Sequence, residues 1–386
     1  MRRGPTGRFS TTSTGGETVR AFVPHPLPPE PALDLGVLQE TMEKALLALG
    51  QLDSLSTLLP DVHQFLYTYV RKEAVLSSQI EGTQSTLSDL LLFELKEAPG
   101  TPLDDVIEVS NYVAALEHGI SRLDGELPLC NRLVREIHDK LLSHGRGSGK
   151  MPGEFRRSQN WIGGTRPGRA RFVPPPPHAV EDCMADLERF YHKEDEGLPA
   201  LLRAGLAHVQ FETIHPFLDG NGRVGRLMIT LALYDAGTIH QPLLYLSLYF
   251  KQHRDRYYTL LDEVRENGDW EAWLEFFFNG VAQTAQEAVS TAQRLLDMFQ
   301  QDQTRIQQEG RRAGSALRIH QVLQKRPIAS LPEMARNTGL SFAAAAAGVK
   351  LLERLDIVRE LTGKKRNRLF GHQQYLDVLA EESEVS

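Results

Sequence analysis

Along most of this chain apolar side chains return every third or fourth position, the period of a helix with one buried face. From Leu33 to Leu123 the pattern runs through Leu38, Met42, Ala45 and Leu46 and again through Phe65, Tyr69, Val70 and Ala74. It predicts a helical lobe with breaks near Pro60 and at Ala98-Pro99-Gly100. A second helical stretch spans Cys130 to His144 and stops at the glycine- and serine-rich Gly145 to Gly149. The period then changes: Arg157 to Gly164, a turn at Arg166 to Arg169, and Arg171 to Val173 read as a β-hairpin ahead of Pro174 to Pro177. Helical spacing resumes from His178 to about Gln308, with a helix at Leu201 to Thr213. Residues 1–32 are rich in Gly, Pro, Ser and Thr and close on the run Pro26 to Pro31, which favours an extended arm over a helix.

The C-terminal part has its own rhythm. Helices are expected at Ser315 to Gln324, Leu331 to Asn337 and Ser341 to Leu355, followed by Ile357 to Leu361, a turn at Thr362 to Lys365, and Arg368 to Phe370. Three short helices and a hairpin with a basic tip form the outline of a winged helix. The pattern therefore predicts a mainly α protein in four parts: an arm (1–32), an N-terminal helical lobe (33–123), a helical core with a small β-hairpin flap (124–308), and a winged-helix-like domain with a tail (309–386).

Charge sharpens that division. The chain of 386 residues carries a net charge of −7, yet Arg311 to Gly371 holds 13 Lys and Arg against 4 Asp and Glu. A surplus of that size in one segment suggests a partner different from that of the remainder. No apolar run is long enough to span a membrane, and the first residues lack the apolar stretch of a secretory signal, so a cytoplasmic location is expected. Cys130 and Cys183 stand far apart with no metal-ligand spacing around them, and both are expected as reduced thiols.

The candidate chemistry is concentrated in His215 to Arg226, reading H-P-F-L-D-G-N-G-R-V-G-R. Pro216 ends the preceding helix, because its ring clashes one turn back, and leaves the His215 imidazole on a loop. With an ordinary pKa near 6.5 that ring can act as a general base. Asp219 is a short carboxylate of the kind that holds Mg²⁺ beside phosphates. Gly220, Asn221 and Gly222 offer main-chain N–H groups at the start of the next helix, a cradle for an anion. Arg223 and Arg226, three apart, add charge to phosphate oxygens. Phe217 reads as a buried anchor of the loop. Each residue alone has a bland explanation, but a base, a metal carboxylate, an anion nest and two arginines in a dozen positions point to nucleotide chemistry.

This stretch resembles the signature of the Fic family, H-P-F-x-[D/E]-G-N-G-R-x-x-R, at every defined position, and Phe211 to Ile214 running into it is also family-like. The resemblance covers roughly Leu33 to Glu275 and implies a protein adenylyltransferase, moving AMP from ATP to a Ser, Thr or Tyr hydroxyl of a target protein and releasing pyrophosphate. It implies His215 as base, Asp219 on Mg²⁺, and Gly220, Asn221, Gly222, Arg223, Val224, Gly225 and Arg226 around the nucleotide. Kinase-like relatives depart from the G-N-G-R core that this chain keeps, so nucleotidyl transfer is favoured over phosphoryl transfer. Ser77 to Gly82 resembles the family's inhibitory motif, [S/T]-x-x-x-E-[G/N], with Ser77 and Glu81 on one helix face. Glu81 there implies autoinhibition in cis by pairing with Arg226.

Gly153 to Pro175 resembles the family's flap, in which Gln159, Asn160, Trp161, Ile162 and Gly163 are candidates to dock an extended target segment by strand addition. Tyr257 and Tyr258 are placed like a tyrosine pair in relatives that walls the adenine, with core packing as the alternative. Several readings stay open. The C-terminal domain fits DNA contact through Lys364 to Arg368, but the five alanines Ala343 to Ala347 offer little to base edges, which favours docking of a protein. A DNA-binding regulator with a nucleotide-sensing core, an enzyme that mainly removes AMP, another nucleotide donor, and a homodimer are the alternatives.

Overall fold

Two adjacent glycines reshape the expected N-terminal arm. Gly15 and Gly16, at φ +57° and +78°, close a two-residue turn between β1 (Gly7–Thr14) and β2 (Glu17–Pro24), which pair antiparallel from Thr14 opposite Glu17 to Gly7 opposite Pro24. In β2 the exposed Thr18 and Arg20 alternate with the buried Val19 and Ala21, so residues 1–32 form a hairpin with an inner face and not a plain extended arm. The computed structural model describes residues 2–58, 63–96, 103–193, 197–364 and 366–381. The expected breaks at Pro60 and Ala98 to Gly100, and Lys365 of the basic turn, lie outside the described residues.

The lobe consists of α1 (Leu35–Leu58), α2 (His63–Ile80), α3 (Leu87–Glu94) and α4 (Leu103–Asp124). The core adds α5 (Asn131–Leu141), α6 (Pro177–His192), α7 (Ala200–Ile214), α8 (Asn221–Asp235), α9 (Ser247–Gln252), α10 (Arg254–Asn267) and the 38-residue α11 (Trp270–Gln307). A single apolar cluster runs through both parts, from Leu38 and Val109 to Leu206, Val224 and Trp273. The lobe and core are therefore one folding unit, since removing either would expose the other's buried faces to water. Among the described residues no helix is long and apolar enough to cross a membrane. Both cysteines are free, and burial pushes the Cys183 thiol up to about 11.

The expected hairpin at Gly153 to Pro175 is reduced to one antiparallel bridge, Ile162 with Phe172. Gly163 and Gly164, at φ +70° and +74°, and a 3₁₀ turn over Pro167–Arg169 break the pairing on the loop side, and Pro174 to Pro177, which have no N–H to donate, follow on the other. The flap instead leans on the N-terminal hairpin: Phe22 N–H donates to the Val173 carbonyl at 2.9 Å, and Gly168 N–H donates to the Glu17 carboxylate at 2.7 Å.

The C-terminal domain has the three expected helices and the hairpin, with an unexpected strand after the first helix: α12 (Ala313–Lys325), β3 (Ile328–Ser330), α13 (Leu331–Thr338), α14 (Phe342–Arg354), β4 (Val358–Glu360) and β5 (Leu369–His372). The antiparallel sheet runs β3-β5-β4. Ser330 and Glu333 form a capping box at the start of α13, Gly339 ends it in the left-handed region, and Ser341 caps α14. Ala316, Ile319, Leu352 and Phe370 pack into a separate small core. Beyond the expected elements, α15 (Gln373–Glu381) returns Tyr375 and Leu379 to the main cluster, so the end of the chain fastens this domain to the core.

Candidate functional site

The loop between α7 and α8 is built by its own side chains. Its first residue, His215, closes α7 at φ 49° and ψ 60°, and Pro216 prevents the helix from continuing. Asn221 then ties the loop back on itself: its Oδ1 accepts from Phe217 N–H and its Nδ2 donates to the Phe217 carbonyl, both at 2.9 Å. Phe217 is fully buried and stacks on His138 with ring centres 3.7 Å apart. His138 Nδ1 accepts from Gly153 N–H at 2.9 Å, which leaves the proton on Nε2, 3.1 Å from the Asp219 carbonyl. Burial pushes the His138 ring down to about 4, so it stays neutral in this role. From the flap, Arg156 donates to the carbonyls of His215, Ile214 and Pro175 at 2.9, 3.3 and 2.6 Å. Burial lowers the Arg156 guanidinium to about 10 without discharging it at neutral pH.

The reactive groups face a cavity of about 320 Å³ lined by Glu81, Ile162, Glu212, His215, Gly222 and Arg226 among others. Burial, reinforced by Arg156 and Arg265, pushes the His215 imidazole down to about 3, so its resting form is neutral and basic in the chemical sense. Gly220 caps α8 at φ 75°, and its N–H donates to Asp219 Oδ1 at 2.7 Å. The Arg223 guanidinium, 4 % exposed, donates from Nη1 to Glu108 Oε2 at 3.1 Å, and Arg146 holds the other Glu108 oxygen at 2.8 Å. A larger open groove of about 700 Å³ lies along α5 at Arg132, Arg135 and Glu136, where charges of both signs neutralise one another away from the loop.

Arg226 is fully engaged by α2. Its Nη2 donates to Glu81 Oε1 at 2.8 Å and to the Ser77 carbonyl at 2.9 Å, while Nε donates to Ser77 Oγ at 2.9 Å. The guanidinium thus satisfies an orphan carbonyl at the C-terminal end of α2 as well as a carboxylate. Burial would raise the Glu81 carboxyl, but Arg226 outweighs it and holds it below the usual carboxylate range. A Cβ at Gly222 would overlap the Glu81 carboxylate, so only glycine lets that side chain cross the start of α8. Gly82 follows at φ 98° and turns the chain away.

Of the residues singled out from sequence, His215, Asp219, Gly220, Gly222, Arg223, Arg226, Glu81 and Ser77 belong to this loop or its rim. Others do not face it as expected. Asn221 spends its side chain on Phe217, the Val224 side chain is buried in the core, and the Gly225 carbonyl lies 3.0 Å from His208 on α7. Tyr257 and Tyr258 both line the cavity, Tyr257 buried with its hydroxyl 2.8 Å from His208 Nε2 and Tyr258 half-buried under Arg254. In the flap, Gln159 donates to the Pro174 carbonyl and Asn160 to the Phe217 carbonyl, both at 3.0 Å, so these two brace the loop. Ile162 uses both main-chain groups on Phe172 and its neighbour, which leaves Trp161 and Gly163 as the exposed edge. Sequence reasoning missed the roles of Glu108, His138, Arg156, Glu212 and Arg265; of these Arg156, in the G-E-F-R run, and Glu212, in Phe211 to Ile214, sit in recognisable motifs.

Family models agree with this geometry: residues 39–121 match the Fic/DOC family N-terminal model and residues 128–233 the Fic/DOC family model. Curated relatives named protein adenylyltransferase Fic include those of Drosophila yakuba, 30% identical over 238 residues, and Aedes aegypti, 29% identical over 262 residues. These alignments cover 59% and 62% of this chain but 45% and 49% of the relatives, so the chain spans about half their length. Among solved structures, a Fic family protein from Desulfovibrio desulfuricans G20 has the same fold at TM-score 0.58 and 19% identity, covering 91% of this chain and 98% of that one. Fic-1 from C. elegans aligns at TM-score 0.55 and 20% identity, over 67% of this chain and 75% of that one. With both family models matched in order along the lobe and the core, the chain belongs to the Fic/DOC family.

Proposed function

We propose that this protein is an adenylyltransferase that moves AMP from ATP to a Ser, Thr or Tyr hydroxyl of another protein and is held off in cis by Glu81. The observation that carries the reading is the pairing of Arg226 with Glu81 beside a neutral His215, within one cavity. In the reaction, His215 accepts the proton as the target oxygen attacks the α-phosphorus. The bond from that phosphorus to the bridging oxygen breaks, and pyrophosphate leaves. Arg223, held by Glu108, and the N–H groups at the start of α8 stabilise charge on the phosphates. Asp219 suits a magnesium ion: Oδ1 takes the Gly220 N–H, and the side chain is 40% exposed, so a hydrated ion can approach Oδ2. Such an ion would neutralise developing charge on the phosphates.

Glu81 occupies the guanidinium that a γ-phosphate needs, so ATP meets a site that cannot seat it for attack. The same carboxylate can orient a water for removal of AMP from a modified target. The exposed edge at Trp161 and Gly163 is where a target strand would add, and the C-terminal domain would select the target. An apolar Phe342, 61 % exposed at the head of α14, favours a protein surface over a phosphate backbone there. DNA contact would instead show as salt-sensitive duplex binding, and a homodimer as a doubled mass in solution.

Transfer of label from α-³²P-ATP to proteins of a lysate tests the reading. Glu81→Gly is expected to raise incorporation at least roughly tenfold, the effect of losing about 1.4 kcal/mol of competing contact, and His215→Ala to abolish it. Equal labelling by the wild type and Glu81→Gly would overturn the inhibitory assignment, and undiminished labelling by His215→Ala the whole mechanism.

A further inference from the structure

Two unsatisfied atoms lie near each other behind the proposed base. Among the described residues neither His215 Nδ1 nor Glu212 Oε1 makes a well-aligned hydrogen bond, and the main-chain carbonyl of Glu212 is the other acceptor that draws the ring proton. The Nδ1 stands 3.9 Å from Glu212 Oε2, three residues back on the last turn of α7. Gly225 makes the room for that carboxylate, because a Cβ there would sit 2.5 Å from Glu212 Oε1. We propose that Glu212 is the positioning carboxylate of His215, pairing with Nδ1–H so that Nε2 faces the target hydroxyl and the imidazolium is stabilised when it forms. The inference rests on the transfer reading above.

The charges around the ring explain the need. Arg156 from the flap and Arg265 from α10 both face His215, and burial adds to them, so a protonated ring is strongly disfavoured without a nearby anion. Arg226 from α8 adds to the positive field around Glu212, while Glu81 from α2, Asp262 on Arg265 and Glu212 itself oppose it. Glu81 is already committed to Arg226 and must leave for ATP to seat, which leaves Glu212 as the carboxylate within 4 Å of Nδ1 throughout the cycle. Burial raises Glu212 to about 7 against the pull of Arg226, so its charge is gained near neutral pH. Glu212 takes no proton in the step. The proton of the hydroxyl passes to Nε2, Nδ1–H stays shared with the carboxylate, and the proton leaves to solvent after pyrophosphate. A carboxylate in this place acts as the third member of a nucleophile–base–orienter set, here with the target's hydroxyl as nucleophile.

The test compares Glu212→Gln and Glu212→Asp in the full chain carrying Glu81→Gly, with thermal unfolding as a check that each folds. Turnover of labelled ATP is expected to fall roughly 10- to 100-fold in kcat for Glu212→Gln, within the range of a weakened proton-transfer catalyst, with KM for ATP within about twofold. The rise in rate from pH 6 to 8 should flatten in the same variant, and Glu212→Asp should recover part of both. Independently of activity, ¹⁵N spectra of histidine-labelled protein at pH 8, where Glu212 is charged, should show the His215 proton on Nδ1 in the parent and a shift of the tautomer balance toward Nε2–H in Glu212→Gln. An unchanged tautomer balance with unchanged kcat and pH profile would overturn the proposal. If no variant transfers AMP but the tautomer balance still shifts, the pair stands and the transfer reading fails.

Discussion

A buried arginine needs a counter-charge, and Glu108 supplies it for Arg223. Glu108 is 1 % exposed at its side chain and lies 115 positions from its partner, on α4. Burial pushes the Glu108 carboxyl up, against the pull of Arg223 and Arg146. The pair holds the guanidinium in one place, so a ligand that Arg223 met, as the proposed function has it, would not have to order a long side chain. Glu108→Leu leaves Arg223 buried and uncompensated, and the expected loss of stability is roughly 3 kcal/mol. Urea unfolding of the variant and wild type measures it. Arg146→Ala, which removes an arm 58% exposed, should cost well under a third of that. Equal effects from the two substitutions would show that Glu108 serves Arg146 and not Arg223.

At the scale of elements, the N-terminal hairpin decides how firmly the flap is held. The flap keeps a single bridge of its own, and while Arg156 and Asn160 fix its base to the loop, its tip is anchored by Arg171 on Asp262 at 2.5 Å, by β2, and by the contacts of Glu17 with Gly168 and Arg166. Glu17→Ala should quicken amide exchange across Gly163 to Val173 while leaving global stability within about 0.5 kcal/mol, because the pair with Arg166 is partly solvated. Hydrogen-exchange mass spectrometry reads both. This element also marks the limit of what the chain's pattern discloses. The helices and the H-P-F-L-D-G-N-G-R-V-G-R loop were legible because apolar period and local chemistry carry them. The hairpin was announced by Gly15-Gly16 alone, inside Thr and Ser whose polarity masks the alternation. Glu108 and His138 were illegible for a different reason. A carboxylate or imidazole reveals its role only when a distant helix brings its partner, and no spacing along one element encodes that. Val224 misleads the opposite way: it sits within the motif, yet the helical turn directs its side chain into the core.

At the scale of the molecule, the C-terminal domain is fastened to the core through a buried joint of α11, α12, β5 and α15. Asp302 near the end of α11 faces His372 Nε2 at 2.9 Å and His320 Nε2 at 3.5 Å, and all three side chains are at most 2 % exposed. His372 Nδ1 accepts from Tyr375 N–H at 3.3 Å, and the Tyr375 hydroxyl lies 3.2 Å from Thr68 Oγ1 on α2, the helix that leads to Ser77 and Glu81. A change in the C-terminal domain therefore has a packed route to the pairing of Glu81 with Arg226. Burial alone would raise the Asp302 carboxyl; His320 and His372 outweigh it and hold it at about 2. Because the folded value lies below the unfolded one, the joint contributes its full stability above about pH 4 and loses it as the pH falls toward 2, a change of roughly 2 kcal/mol. Asp302→Asn should flatten that part of the pH–stability curve and lower the stability at pH 7. Its loss at neutral pH should appear first as faster exchange in β5 and α15, with α7 and α8 still protected. If exchange rose evenly through the chain instead, the domain and the core would unfold as one, and the joint would have no separate existence to regulate.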